Sequence, residues 1–104
     1  MLKAEQGDVL RINGISWPVI VVSNNRFNEI GEVIVCPILN KGSANAIHLP
    51  VTVSSTIGEI KGLVICEQVR HLDLNNRRFS RIGTLFLCEY LDIADTLSAL
   101  FDFR

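Results

Sequence analysis

The sequence lacks the short motifs that identify most enzymes and membrane proteins. It contains no phosphate-binding glycine loop, no nucleophile elbow and no HExxH motif. No apolar run approaches the roughly 18 residues that a membrane-spanning helix needs, and no signal peptide is recognisable. Cysteine is scarce, with three residues and no Cys-x-x-Cys or Cys/His spacing for a metal. We therefore expect no metal, no cofactor and no membrane association.

The sequence also lacks an excess of charge of either sign. The net charge is −1, with ten Lys and Arg against eleven Asp and Glu, which argues against a protein that coats nucleic acid electrostatically. Hydrophobic residues make up 48% of the 104 residues, enough for a core, so we expect one domain spanning 1–104. Each of Cys36, Cys66 and Cys88 lies in an apolar run, as expected for small core residues in a reducing cytoplasm.

The stretch "RINGISWPVIVVS", residues 11–23, predicts a hairpin. Asn13-Gly14 lies between two apolar runs, and this pair favours a two-residue type I′ turn. Trp17-Pro18 is unexpected inside the second run, because proline has no backbone N–H and is confined to strand ends, bulges or edges.

The remaining pattern up to residue 86 is mostly that of strands and turns. A near-continuous apolar strand is predicted at 32–39, a loop at 40–46 and an alternating strand at 47–53. A strand at 63–73 is predicted to contain a bulge or a strand switch near Gln68. We expect the other segments to be connections, polar at 24–31 and 54–62 and basic at 74–83, with a short strand possible at 84–86.

The C-terminal segment has the spacing of a helix over 87–101. Its apolar residues recur at three- and four-residue steps: Leu87, Tyr90, Leu91, Ala94, Leu97, Leu100 and Phe101. Its acidic residues are expected to form an outer surface: Glu89, Asp92, Asp95 and Asp102. The predicted fold class is therefore mainly β, a small bent antiparallel sheet or barrel with one C-terminal α-helix.

Positive charge is concentrated between residues 70 and 81. Four arginines occur there, Arg70, Arg77, Arg78 and Arg81. They suit a phosphate backbone, but a solvated loop that balances the acidic helix would have the same composition. His71 is a candidate acid or base near neutral pH, although a lone histidine between Arg70 and Leu72 is more often structural.

The order of segments resembles the MazF/PemK family of bacterial toxin–antitoxin toxins. The matching segments are Gly7-Asp8, Pro18 to Ser23, Val35 to Pro37, Gly62 to Asp73, and Gly83 into the helix. The most specific is "CEQVRHLD", residues 66–73, where the family commonly has C/A-D-Q-x-R-T/S-I/L-D. The resemblance implies an SH3-like, CcdB/PemK-type barrel, a homodimer, and a cognate antitoxin as partner. It also implies cleavage of single-stranded RNA without metal.

Two positions depart from the family pattern. The family's catalytic arginine before the second-strand proline corresponds to Trp17, and its threonine after the third-strand proline to Leu39, or to Asn40 if the register slips by one. The resemblance retains Arg70 and Asp73, with His71 between them. We therefore expect Arg70 to bind phosphate and His71 or Asp73 to transfer the proton. The expected RNA-binding residues are Arg77, Arg78, Arg81, Trp17, Asn40 and Lys41.

Two alternatives use the same fold. The first is a growth inhibitor that binds a protein target, as CcdB-type toxins bind DNA gyrase through the end of their terminal helix. Phe101 and Phe103 near the C-terminus would then be exposed anchors. The second is a catalytically degenerate member that chiefly binds the antitoxin.

Overall fold

The computed structural model describes residues 3–101, which form a curled antiparallel sheet with two helices. The strands are β1 (Asp8–Ile12), β2 (Val19–Val21), β3 (Glu32–Leu39), β4 (His48–Ser55), β5 (Gly58–Ile65), β6 (Arg70–Asp73) and β7 (Phe79–Thr84). The helices are α1 (Asn25–Asn28) and α2 (Leu87–Leu100), and a 3-10 turn spans Leu74–Asn76. The strand order is β4-β5-β3-β2-β1-β7, with β6 paired to β3.

The sheet curls until its two outer strands, β4 and β7, approach each other. The backbone N–H of Thr56 donates to the Ile82 carbonyl at 3.0 Å. A Cβ atom at Gly83 would lie 2.7 Å from Cγ1 of Val53, so glycine is what permits this approach. The result is a half-barrel with one C-terminal helix, which confirms the predicted fold class.

Both faces of the central strands are buried. Side chains alternate along a strand, so Val9 belongs to a cluster that includes Ile93 of α2, while Leu10 belongs to a second cluster with Leu72. This double burial explains the near-continuous apolar sequence of β3, whose predicted bounds of 32–39 are confirmed.

The predicted type I′ turn at Asn13-Gly14 is wrong. β1 ends at Ile12 and β2 begins only at Val19, so the connection is longer than two residues. Among the described residues only glycines have positive φ, and Gly14 has φ +90°. The Ile15 N–H donates to the Ile12 carbonyl at 3.1 Å, which is the arrangement of a type II turn with glycine third.

Pro18 explains why the second strand starts late. It directly precedes β2, where its missing N–H costs no ladder hydrogen bond. Its carbonyl accepts from the Ile38 N–H at 2.9 Å, which fixes the end of the connection against β3.

Two predicted connections consist partly of strand. The expected polar connection at 54–62 is wrong, because β4 and β5 form a hairpin in which Val53 pairs with Ile60. Its polar residues lie on the solvent side of that hairpin. The second half of the expected basic loop at 74–83 is β7, in which buried Ile82 follows exposed Arg81.

The predicted interruption near Gln68 is confirmed. β5 ends at Ile65 and β6 begins at Arg70. Both strands pair with β3, β5 near its end at Ile38 and Leu39 and β6 near its start. Residues 66–69 are thus the switch between the two pairings.

Helix α2 has nearly the predicted span but a different buried face. Its fully buried residue is Ile93, whereas Leu87 is 72% and Phe101 64% exposed. The acidic residues lie beside β4, lining a cavity with Leu49, Pro50 and Val51: Glu89, Asp92 and Asp95. The prediction of an apolar stripe through Leu87 and Phe101 against the sheet is therefore wrong. Within 3–101 no helix is long and apolar enough to cross a membrane.

The cysteine prediction is confirmed for two residues of three. Cys36 and Cys66 are buried, whereas Cys88 at the start of α2 is exposed. Burial raises the pKa of the Cys36 thiol to about 12 and that of Cys66 to about 11, so both remain protonated core residues.

Candidate functional site

A groove of about 580 Å³ is lined by residues of β1, β3 and β5 and of the connections between strands. We call it the Trp17 groove. The residues that line it include Arg11, Trp17, Leu39, Lys41, Lys61 and Gln68.

The local sequence explains how these side chains reach one place. Arg11 is the single exposed residue of β1, and its neighbours Leu10 and Ile12 are buried and anchor the strand. Trp17 is 40% exposed in the connection that Pro18 terminates. A Cβ atom on Gly62 would lie 2.6 Å from the carbonyl oxygen of the groove residue Leu39, so glycine allows β5 to approach the end of β3.

The groove carries an excess of positive charge. Its charged side chains are Arg11, Lys41, Lys61 and a single carboxylate, Glu59. Lys61 Nζ lies 3.5 Å from Glu59 Oε1 in an exposed pair. Within residues 3–101, neither Arg11 nor Lys41 pairs with a carboxylate. An anionic, extended ligand is therefore the chemistry that this groove suits.

Three of the predicted RNA-binding residues meet here, namely Trp17, Asn40 and Lys41. Leu39 lines the same groove. The pairing of β2 with β3 therefore brings together the two positions that depart from the family pattern. These positions, Trp17 and Leu39, are far apart in the chain.

The structure does not bring Arg70, His71 and Asp73 onto one face. All three belong to β6, with Leu72 between His71 and Asp73. Because side chains alternate along a strand, Arg70 lies on the same face as Leu72, whereas His71 and Asp73 lie on the opposite face. His71 Nε2 lies 2.5 Å from Glu32 Oε1. The Asp73 carboxylate accepts from the Asn75 N–H at 2.9 Å, capping the 3-10 turn.

The arginines predicted to bind RNA are also spread apart. Arg77 and Arg78 line a second cavity together with Lys3, and Arg78 also lines a shallow cavity with Arg11. Arg81 Nη1 lies 3.6 Å from the carboxylate of buried Asp8. The basic segment of the sequence therefore does not form a single cationic surface.

Sequence reasoning missed Arg11, Glu59, Lys61 and Gln68 as residues of this groove. Arg11 gave one usable signal, because it is the one charged residue in the run from Val9 to Ile12. It occupies the exposed position of β1. Glu59 and Lys61 gave none, because they fell in a segment interpreted as a polar connection.

A hydrogen-bonded cluster supports the loop that leads to Gln68. His48 Nε2 lies 2.9 and 2.8 Å from the two Glu67 carboxylate oxygens, and its Nδ1 is 3.2 Å from Asn45 Nδ2. The hydrogen bond from His48 lowers the pKa of Glu67 below its ordinary value. The described residues contain no group of three potential metal ligands.

Comparison of the sequence with known families identifies the class of this protein. Residues 11–101 match the family model described as PemK-like, MazF-like toxin of type II toxin-antitoxin system. The chain therefore belongs to the PemK/MazF toxin family. Its relatives include the endoribonuclease toxin ChpB of Escherichia coli (strain K12), which is 31% identical over 90 residues, or 76% of this chain and 78% of ChpB.

Solved structures show the same fold at lower identity. A chain of the MazE-MazF crystal structure (Form-I) from Deinococcus radiodurans has a TM-score of 0.80 at 19% identity, covering 96% of this chain and 97% of that one. The Form-II structure has a TM-score of 0.81 at 20% identity and covers all of both chains. An endoribonuclease from a Mycobacterial species has a TM-score of 0.79 at 18% identity, covering 95% and 91%.

Proposed function

We propose that this chain is the toxin of a type II toxin–antitoxin pair and that it cleaves single-stranded RNA in the Trp17 groove. The observation that carries the proposal is the cationic groove itself, in a family member whose relative ChpB is an endoribonuclease toxin. We also propose that residues 1–104 form one domain that acts in the cytoplasm.

The groove contains groups suited to attack by a ribose 2′-OH. In this reaction the 2′-oxygen bonds to the adjacent phosphorus and the P–O5′ bond breaks. The products are a 2′,3′-cyclic phosphate and a 5′-hydroxyl, which takes up a proton. Glu59 is the one carboxylate of the groove that can accept the 2′-OH proton, and Lys41 and Lys61 can stabilise the charge that develops on the phosphate.

The earlier assignment to Arg70, His71 and Asp73 remains a prediction that mutation can test. Their placement on opposite faces of β6 favours the groove instead. His71 and Asp73 are already engaged with Glu32 and with the backbone of Asn75.

The antitoxin is the proposed macromolecular partner, supported by the MazE-MazF complexes that share this fold. We further propose a homodimer formed through α2. The start of this helix exposes Phe86, Leu87 and Leu91, each by at least half of its surface. Burying such side chains against a second copy would stabilise the assembly.

The gyrase alternative has no support from the relatives described above. Of the two expected anchors, Phe101 is exposed, and Phe103 lies outside the described residues.

The test is incubation of the purified full chain with mixed single-stranded RNA, with and without EDTA, followed by end-group analysis of the fragments. We expect cyclic-phosphate and 5′-hydroxyl ends in both conditions, and loss of cleavage in Lys41→Ala and Glu59→Gln. Arg26→Ala, an exposed change on α1 outside the groove, is the matched control. Intact RNA with the wild-type chain would refute the proposal.

A further inference from the structure

We infer that Trp17 and Arg11 form a nucleotide subsite within the groove, in which the indole stacks on an unpaired base and the guanidinium binds a neighbouring phosphate. The inference rests on the proposed RNA substrate, but it concerns how the strand is held and which strands are accepted, not the bond-breaking step.

Trp17 is placed as a stacking surface and not as a core residue. The chain has one tryptophan, and it is absent from both apolar clusters, which are built from aliphatic residues and cysteine with Phe79 packed against one of them. It is 40% exposed and lines the groove together with cationic side chains. A large exposed aromatic ring beside positive charge is the usual platform for single-stranded nucleic acid.

The backbone on either side of Trp17 is anchored, which holds the main chain from which the ring projects. Pro18 fixes its own φ and is held to β3 by the 2.9 Å hydrogen bond from Ile38. On the other side, the turn closed by the Ile15 N–H begins the connection at the end of β1. The indole is therefore presented from a short, anchored connection, which lowers the entropy lost when a base stacks on it.

Arg11 is the cation of the groove that we assign to act with this ring. It projects from a strand whose other four residues are buried, so its Cα position is fixed by the core. Within the described chain it makes no ion pair, so its guanidinium does not have to break one in order to bind phosphate. Guanidinium groups bind phosphate oxygens in a bidentate manner and also stack on aromatic rings.

The combination of Trp17 and Arg11 restricts the substrate to unpaired nucleotides. A base inside a duplex has both faces covered by its neighbours, so it can stack on Trp17 only after it has left the helix, which costs a few kcal/mol. A single strand exposes its bases without that cost. The subsite thus supplies selection for single strands through residues other than Glu59 and Lys61.

The experiment uses the intrinsic fluorescence of Trp17, which reports this position alone because it is the only tryptophan. The probe is a short single-stranded oligonucleotide of 2′-O-methyl RNA, which cannot undergo attack by its 2′-oxygen. We expect saturable quenching, and an affinity about tenfold weaker in Arg11→Ala. Arg26→Ala should bind as the wild type does.

Three comparisons make the outcome decisive. The same oligonucleotide in a duplex, and an abasic strand of equal charge, should leave the fluorescence nearly unchanged. In Trp17→Leu, anisotropy of a dye-labelled strand should show an affinity about tenfold lower, whereas Trp17→Phe should recover part of it. Quenching that duplex or abasic strands reproduce, or that Arg11→Ala does not weaken, would overturn the subsite.

The result also separates this inference from the proposed function. Quenching by the 2′-O-methyl strand without cleavage of ordinary RNA would support the subsite and refute the nuclease. Cleavage of ordinary RNA without quenching would support the nuclease and refute the subsite.

Discussion

His48 Nε2 lies 2.8 Å from Oε2 of Glu67, and this contact joins the first residue of β4 to the loop that follows β5. The loop continues to Gln68, which lines the Trp17 groove. The hydrogen bond between His48 and Glu67 thus supports the loop that forms part of the wall of the proposed RNA site.

The first prediction concerns the titration of Glu67. The hydrogen bond from His48 lowers the pKa of this carboxyl below 4.5. A lowered pKa stabilises the fold above pH 4.5, and this contribution is lost as the pH falls through the folded-state pKa. A carboxyl NMR titration should therefore place Glu67 below 4.5, and His48→Ala should raise it. His71→Ala is the control and should leave Glu67 unchanged; an unaltered Glu67 in His48→Ala would contradict the assignment.

The second prediction concerns thiol reactivity. The thiolate is the reactive form, and burial raises the pKa of Cys36 to about 12 and of Cys66 to about 11. At pH 8 the native chain should therefore be modified rapidly by DTNB at Cys88 alone, as measured by release of the TNB thiolate and by peptide mass. Cys88→Ser should react only after unfolding. Rapid labelling of Cys36 or Cys66 in the native chain would show that the core cluster around them is open.

The third prediction tests the closure between β4 and β7. In Gly83→Ala the new methyl group would meet Val53 Cγ1 at 2.7 Å and the Ser54 carbonyl oxygen at 3.0 Å. Because backbone must move, we expect the free energy of unfolding to fall by about 1–3 kcal/mol in urea denaturation. Ser80→Ala, an exposed change on the same strand, should cost less than about 0.5 kcal/mol. If the clash is the cause, adding Val53→Ala to Gly83→Ala should reduce the loss of stability. Equal stability of Gly83→Ala and Ser80→Ala would argue against the closure.

The fourth prediction tests the proposed dimer. Leu87→Glu and Leu91→Glu place a charge on the exposed apolar part of α2, and burying an unpaired charge is costly. We expect sedimentation velocity at micromolar concentration to show a dimer for the wild type and monomers for both variants. Thr52→Glu, on the solvent side of β4, should remain dimeric. Dimers that survive both leucine changes would place the interface elsewhere.

Much of the local structure could be predicted from the sequence. The bounds of β3 follow from its apolar run, and the span of α2 follows from its three- and four-residue periodicity. The interruption near Gln68 was visible as a break in alternation. In each case residues that are close in the sequence determine the local structure.

The features that were predicted wrongly depend on distant contacts. The polar residues of 54–62 look like a connection until β4 and β5 pair and leave one side of their hairpin in water. The buried face of α2 is determined by the curled sheet that receives Ile93, a residue that the predicted apolar stripe did not include.

The candidate site was the least predictable part for the same reason. Arg11, Trp17, Lys41 and Lys61 are spread over fifty-one positions of the chain and meet only because the sheet curls. The close approach of Gly62 to the Leu39 carbonyl is one contact that makes this possible. Arg70 and His71 are adjacent in sequence, yet strand alternation separates them.

The most direct test of the central claim compares two variants in cleaving one RNA oligonucleotide under single-turnover conditions. One is the groove variant Lys41→Ala/Lys61→Ala, and the other carries Arg70→Ala, His71→Ala and Asp73→Ala on β6. Cleavage in the groove predicts that the first loses at least ~100-fold in rate and that the second stays within a few-fold of wild type. A groove variant that cleaves at the wild-type rate, beside an inactive β6 variant, would contradict it.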